Sequence, residues 1–169
     1  GLLEVEVDVR RFNSSSAKST LEVKLLDSTG KQIVRKVAPV TFSDKNNSEV
    51  VFSQKIISPK LWSNEDPNLY TLVLSLKLED GTLLEATSCK IGFRKVEIKN
   101  AQLLVNGKPV MVRGVNMHEH HPYHGHVVDR ETMLEDIALM KQHNINAVRL
   151  SHYPHSSLWY KLADEHGLF

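Results

Sequence analysis

Pro109-Val110-Met111-Val112-Arg113-Gly114-Val115 is the stretch on which the fold turns. Its apolar residues run on without alternation, as in a parallel strand buried on both faces. The next stretch is helical. Asp129 has the chemistry of an N-cap, and Met133, Ile137 and Met140 at i, i+4, i+7 mark one helical face reaching about Gln142. Ala147-Val148-Arg149-Leu150 reads as a second short strand. Ser156 or Ser157 can cap a second helix over 158–165, which Gly167 ends as a left-handed stop. Leu168-Phe169 would open a third strand. Two βα units and a stub cannot close a barrel or cover both faces of a sheet. The second half therefore reads as the beginning of a larger α/β domain, and the chain as a piece of a longer one.

Upstream the period is two. Leu3, Val5, Val7 and Val9 alternate with Glu4, Glu6, Asp8 and Arg10, giving a strand with one apolar face. Asn13-Ser14-Ser15-Ser16 comes after it as a loop. Leu21, Val23 and Leu25 alternate again, and Asp27-Ser28-Thr29-Gly30 supplies the turn. Further strands are expected over 32–37, 49–57, 70–78 and 83–91, with Asp80-Gly81 as a hairpin signal between the last two. Six or seven short strands without a helix predict an antiparallel sandwich of immunoglobulin type, although the Cys…Trp…Cys spacing is missing. After a connection over 96–104 and an Asn106-Gly107 turn, the apolar strand begins. The expected division is a sandwich over 1–98, a connection over 99–109 and an α/β start over 110–169.

Composition sets outer limits. The chain has 169 residues, 41% hydrophobic and 24% charged, enough for a real core without staples. Its net charge of +1 shows no basic excess that would favour nucleic acid or an anionic membrane. Cys89 is the one cysteine, which excludes an internal disulfide and any multi-cysteine zinc site. No apolar run approaches the roughly 18 residues of a membrane span. The opening Gly1-Leu2-Leu3-Glu4-Val5 lacks the layout of a signal peptide, and these features together predict a cytoplasmic protein. Asn13-Ser14-Ser15 and Asn46-Asn47-Ser48 match the glycosylation pattern, a short and weak signal.

All nine histidines lie at or after His118, five of them within nine residues of the loop Asn116-Met117-His118-Glu119-His120-His121-Pro122-Tyr123-His124-Gly125-His126. Imidazoles so dense invite a zinc reading. The spacing argues against it, because Pro122 sits where the second histidine of a helical zinc motif belongs. A polar loop whose imidazoles bond to backbone is the simpler alternative. Arg149, Ser151 and His152 fall at or past the end of the second strand, on the same rim as the His118 loop. In parallel βα architectures that rim carries the chemistry. An ion pair is the alternative for Arg149, and a rigid turn is the preferred reading of Tyr153-Pro154. Trp62, Trp159 and Tyr160 read as packing residues rather than a sugar platform.

The run Arg113-Gly114-Val115-Asn116-Met117-His118-Glu119-His120-His121-Pro122 resembles the start of the catalytic barrel in β-galactosidases of glycoside hydrolase family 2. Asn146-Ala147-Val148-Arg149-Leu150-Ser151-His152-Tyr153-Pro154, continuing to Asp164-Glu165-His166-Gly167-Leu168, is similar to that family's first signature. Upstream, Leu61-Trp62-Ser63-Asn64-Glu65-Asp66-Pro67-Asn68-Leu69-Tyr70 and Gly92-Phe93-Arg94 resemble the end of its sandwich domain. The likeness rests on motifs from about 58 to 169, and on pattern alone before that.

The resemblance implies an immunoglobulin-like sandwich followed by the first units of a (β/α)8 TIM barrel, incomplete here. It implies a parent that cleaves terminal β-D-galactosides, such as lactose, with retention through a covalent galactosyl-enzyme intermediate. His118 and His152 would contact the galactosyl ring and stabilise the transition state. Asn116 and Arg149 would belong to the substrate site, Arg149 helping to keep the nucleophilic carboxylate ionised. The two catalytic Glu residues would lie beyond Phe169, so this chain alone should be inactive; Glu119 would fix the loop and Asp129 cap a helix. Mg2+ and Na+ or K+ would serve the complete enzyme, with their ligands largely outside this stretch, and the complete enzyme would form homo-oligomers. Met117 stands where relatives often have a basic residue, and Leu150 where a small one is commoner. β-Glucuronidase or β-mannosidase of the same family is the nearest alternative, and the run from His120 to Gly125 favours galactosidase. A non-catalytic sandwich module is the alternative outside enzymology, and the unpaired apolar strand after Pro109 speaks against it.

Overall fold

A computed structural model describes residues 1–12, 18–42 and 46–169. The chain divides into two compact units, one of residues 1–59 and 70–91, the other of 60–69 and 92–169. No described helix is long and apolar enough to cross a membrane. The Asn13 glycosylation pattern and its loop lie outside the described residues. Of the second pattern, Asn46 accepts a hydrogen bond on Oδ1 from the Arg11 guanidinium at 2.8 Å.

The first unit is an all-β sandwich whose described residues form six strands. They are β1 (Leu2–Arg10), β2 (Ser19–Leu26), β3 (Gln32–Val40), β4 (Asn47–Lys55), β5 (Tyr70–Leu78) and β6 (Leu83–Ile91). One layer has two strands, β1 and β4; the other has four, in the order β3-β2-β5-β6. All neighbouring pairs are antiparallel. The alternating residues do what their period requires: Leu3, Val5, Val9, Leu21, Val23, Leu25, Val50, Phe52 and Leu72 are buried. At the β2–β3 turn, Asp27 accepts the Thr29 and Lys31 N–H groups on Oδ1. At the β5–β6 turn, Gly81 takes the positive φ of 88° that a side chain would resist. The third strand runs three residues past the expected end at 37. The fourth lies two residues earlier than expected. Strand ends are poorly marked by period alone.

The second unit opens with a departure from expectation. The stretch 96–104, read as a connection, forms a hairpin of β7 (Val96–Lys99) and β8 (Gln102–Val105), to which β9 (Lys108–Pro109) adds. Its tight turn places Asn100 and Ala101 at φ 51° and 59°, the double left-handed geometry of a two-residue hairpin. Alanine is an unusual occupant there, so the stretch carries no turn signal that spacing or composition would reveal.

The apolar stretch that decides the fold is also shorter than its period suggested. The parallel strand is β10 (Gly114–Met117), while Met111 and Val112 are exposed outside it. Asn146, buried, holds this approach segment: its Oδ1 accepts the Arg113 N–H at 2.8 Å and its Nδ2 donates to the Met111 carbonyl at 2.9 Å. β10 pairs in parallel with β11 (Ala147–Leu150), Gly114 opposite Ala147 and Asn116 opposite Arg149. Between them runs α1 (Arg130–Gln142), and after β11 comes α2 (Ser157–His166). Met133 and Ile137 from α1, with Trp159 and Leu162 from α2 and Leu168, form the buried cluster, and Met117, Val148 and Leu150 pack against it. Phe169 donates its N–H to Asn146 and accepts from Val148, so the expected third strand does begin beside β11. The segment 60–69 belongs to this unit. Buried Trp62 donates its indole N–H to the Asp164 carbonyl at 2.8 Å and meets the Phe169 ring edge-on at 5.6 Å.

Candidate active site

Four side chains proposed from sequence meet at one place. Asn116 lies in β10 and Arg149 opposite it in β11; His118 and His152 come just beyond the ends of those strands. The alternation of a strand sends Met117, Val148 and Leu150 into the helix-facing core and leaves Asn116 and Arg149 on the other face, exposed. Arg149 Nη1 donates to Asn116 Oδ1 and Nη2 approaches His152 Nδ1, each at 3.4 Å. A guanidinium can only donate, so His152 Nδ1 is the acceptor and its proton sits on Nε2. The His118 and His152 rings meet edge to face, centroids 5.6 Å apart. Arg149 therefore sits with an amide and an imidazole; no carboxylate pairs with it among the described residues.

The loops carrying the two histidines are tied together. Ser151, buried, donates its N–H to the Met117 carbonyl at 2.9 Å. Glu119 Oε1 accepts the N–H of Ser156, the N-cap of α2, at 2.9 Å. The Tyr153 hydroxyl accepts the Glu119 N–H at 3.3 Å, and the Tyr153 ring faces His118 at 6.2 Å. Glu119 is a loop-fixing acceptor whose charge also lies at a helix N-terminus, where negative charge is stabilised. Asp129 caps α1 through the Thr132 N–H at 2.9 Å. That bond, then the Thr132 hydroxyl, holds its carboxyl below the usual range.

The other histidines serve the loop. His121 Nδ1 accepts the N–H groups of Tyr123 and His124, and His126 Nδ1 donates to the Glu119 carbonyl at 2.9 Å. Among the described residues, no three or more His, Cys, Asp or Glu side chains are grouped to hold a metal ion.

Sequence reading missed two residues here. Tyr153, read as part of a turn, is the hub between the two loops. His155 is buried with both ring nitrogens unpartnered and its ring 5.1 Å from that of Tyr153, while its N–H donates to the Tyr160 hydroxyl. Neither is signalled by period or spacing, because each depends on contacts across the βα loops.

The model of glycosyl hydrolases family 2 matches residues 1–94, and that of the family's TIM barrel domain matches residues 96–169. The chain belongs to glycosyl hydrolases family 2. Its sandwich is the family's immunoglobulin-like domain, and the βα units are the start of the family's barrel. Among solved structures, a Bacteroides fragilis protein provisionally named a beta-galactosidase superposes with a TM-score of 0.92 at 25% identity. A family 2 member from Bacteroides cellulosilyticus also gives 0.92, at 27% identity. These two alignments cover 99% of this chain but 25% and 22% of those proteins. A Ruminococcus gnavus beta-glucuronidase gives 0.75 at 26% identity, covering 98% of this chain and 27% of that one. The chain thus spans about a quarter of the length of such family 2 relatives.

Proposed function

We propose that these residues belong to a retaining β-galactosidase and supply one wall of its sugar site. The observation that carries this reading is the meeting of His118, His152, Arg149 and Asn116 on the exposed face where two parallel strands end. Imidazoles there can hydrogen-bond ring hydroxyls, and bonds that tighten as the ring flattens toward an oxocarbenium ion lower the barrier. His152, with its proton on Nε2, is a donor on the side away from Arg149. Arg149 places positive charge beside the position of the nucleophile, favouring its ionised form. The nucleophile and the acid/base, two Glu about 5–5.5 Å apart in retaining enzymes, come from later strands of the parent. The 169-residue chain alone is inactive.

β-Glucuronidase is the second reading, favoured by the Ruminococcus gnavus relative. The deciding experiment gives the full-length enzyme chromogenic β-galactoside and β-glucuronide in parallel, beside the 169-residue chain alone. Turnover of the galactoside by the full-length enzyme, lost in His118→Ala and His152→Ala, is expected. Turnover of the glucuronide alone would reverse the choice. Hydrolysis by the short chain, abolished in Glu119→Gln, would overturn the assignment of the carboxylates.

A further inference from the structure

His155 stands one residue before Ser156, the N-cap of α2, and its side chain is buried. Among the described residues neither ring nitrogen has a hydrogen-bond partner, and both are closed off from solvent by the chain's own atoms. Two unpaired polar atoms in such a place carry a desolvation penalty that a phenyl ring would avoid. What an imidazole has and a phenyl ring lacks is a lone pair that takes a proton near neutral pH.

The ring packs on Tyr153. The two rings lie 5.1 Å apart at an interplanar angle of 34°. The Tyr153 ring in turn meets His118 at 6.2 Å and His126 at 6.1 Å, and its hydroxyl accepts the Glu119 N–H at 3.3 Å. The backbone at His155 is held on both sides: its own N–H donates to the Tyr160 hydroxyl of α2 at 3.3 Å, and the Ser156 N–H donates to the Glu119 carboxylate. A neutral His155 ring is therefore a packed support for the side chain that joins the His118 loop to the one after β11.

We propose that His155 is a positioning residue for His118, acting through Tyr153, and that it acts only as a neutral ring, so that proton uptake at His155 releases the brace. The proposal rests on the reading of His118 as a contact to sugar. The proton comes from solvent and adds to the ring nitrogen that carries the lone pair. No hydrogen bond of that nitrogen breaks, because it accepts none among the described residues. The product is an imidazolium with both N–H groups buried and unpaired, which the chain relieves by turning the ring out to water. The N-terminus of α2 opposes positive charge at this place as well. Glu119, on the facing loop, attracts such a charge through space, but its carboxylate is bonded to the Ser156 N–H and makes no bond to the ring. Tyr160, from α2, binds the backbone of His155 and not its ring. His118 and His126, which face Tyr153, and His152, which faces His118, only add positive charge when protonated. Expelling the ring leaves Tyr153 without its neighbour and frees the 118–126 loop to move. The brace holds at neutral pH and is lost in acid, below the ordinary imidazole value of about 6.5.

The test compares wild type and His155→Phe in the full-length enzyme. The quantity measured is kcat/KM for the chromogenic β-galactoside or β-glucuronide it hydrolyses, from about pH 4.5 to about pH 8. Phe fills the site with a ring that takes no proton. Between about pH 7.5 and about pH 5, wild type is expected to lose at least about tenfold more of its kcat/KM than the variant. Profiles of the same shape would overturn the proposal. Hydrogen exchange at the Glu119 amide, whose bond to Tyr153 reports the brace, needs neither turnover nor the variant. In wild type its protection, corrected for the intrinsic pH dependence of exchange, should fall at least about fivefold over the same range. Constant protection would sink the proposal even where His155→Phe does not fold. Failure of the sugar reading looks different: neither glycoside is hydrolysed, while acid still loosens Glu119.

Discussion

Glu22 offers the sharpest test of the sandwich energetics. It lies in β2 on the face away from the core, yet its side chain is only 3% exposed. Lys77 donates to Oε2 at 2.7 Å, Lys24 lies 3.5 Å from the same oxygen, and Arg35 donates to Oε1. The bond from Lys77 does most to lower its pKa, burial opposes it, and Arg35 and Lys24 add to the lowering; the result is about 2 against an ordinary 4.5. At about 1.36 kcal/mol per unit, the difference sets a ceiling of about 3.4 kcal/mol. The cations are partly solvated, Arg35 56% exposed, Lys24 35% and Lys77 31%. Screening reduces the expected contribution to about 1–2 kcal/mol. A depressed pKa stabilises fully above the unfolded value of 4.5, and that stability is lost as the pH falls toward 2. Glu22→Gln should therefore cost about 1–2 kcal/mol in urea unfolding at about pH 7, and the gap should shrink steadily below about pH 4.5. A gap that stays constant, or widens in acid, would refute the electrostatic account of this cluster.

Substitutions at three further positions probe the second unit. Gly167→Ala puts a side chain at φ 71° and drives its Cβ into the Asn64 carbonyl oxygen; a loss above about 2 kcal/mol in thermal unfolding is expected, and wild-type stability would mean the 60–69 segment is not seated there. Asn146→Ala strands the Arg113 N–H and the Met111 carbonyl, which should cost about 2–3 kcal/mol by denaturant titration; a loss below about 0.5 kcal/mol would show that water replaces both bonds. Glu119→Gln keeps an acceptor for the Ser156 N–H, so hydrolysis by the full-length enzyme should stay within about tenfold of wild type, while Glu119→Ala falls further. A loss of about 1000-fold or more in Glu119→Gln would make that carboxylate catalytic instead.

What the sequence revealed and what it hid divide along physical lines. Helix ends were legible because caps are local chemistry: Asp129 bonds Thr132 three residues on, Ser156 bonds Leu158, and Gly167 takes the left-handed φ its place demanded. Strand identity was legible because one face is buried at period two. The hairpin over 96–105 was hidden because its turn uses Asn100-Ala101 rather than a glycine. The true start of β10 was hidden because apolar residues continue upstream, and only the Asn146 clamp shows where pairing begins. The meeting of His118 with His152 was foreseeable from their place on the rim. The role of Tyr153 was not, since its partners Glu119 and His126 lie 34 and 27 residues away in the chain.

The same distinction explains how two βα units fix the geometry around His118 and His152. The register of β10 on β11 sets Asn116 across from Arg149, and both histidines come within three residues of that pair. Their loops are then fixed by bonds contained in these two βα units: Ser151 to Met117, Glu119 to Ser156, and Tyr153 to Glu119. None of those bonds requires a later barrel strand. The face of Asn116 and Arg149 is a different matter, because it stays exposed within these two βα units. Positioning of the two imidazoles is thus local to this chain. Under the proposed function, substitutions at Ser151 or Tyr153 should accordingly disturb His118 and His152 and slow hydrolysis by the full-length enzyme, while product analysis still shows retention of configuration.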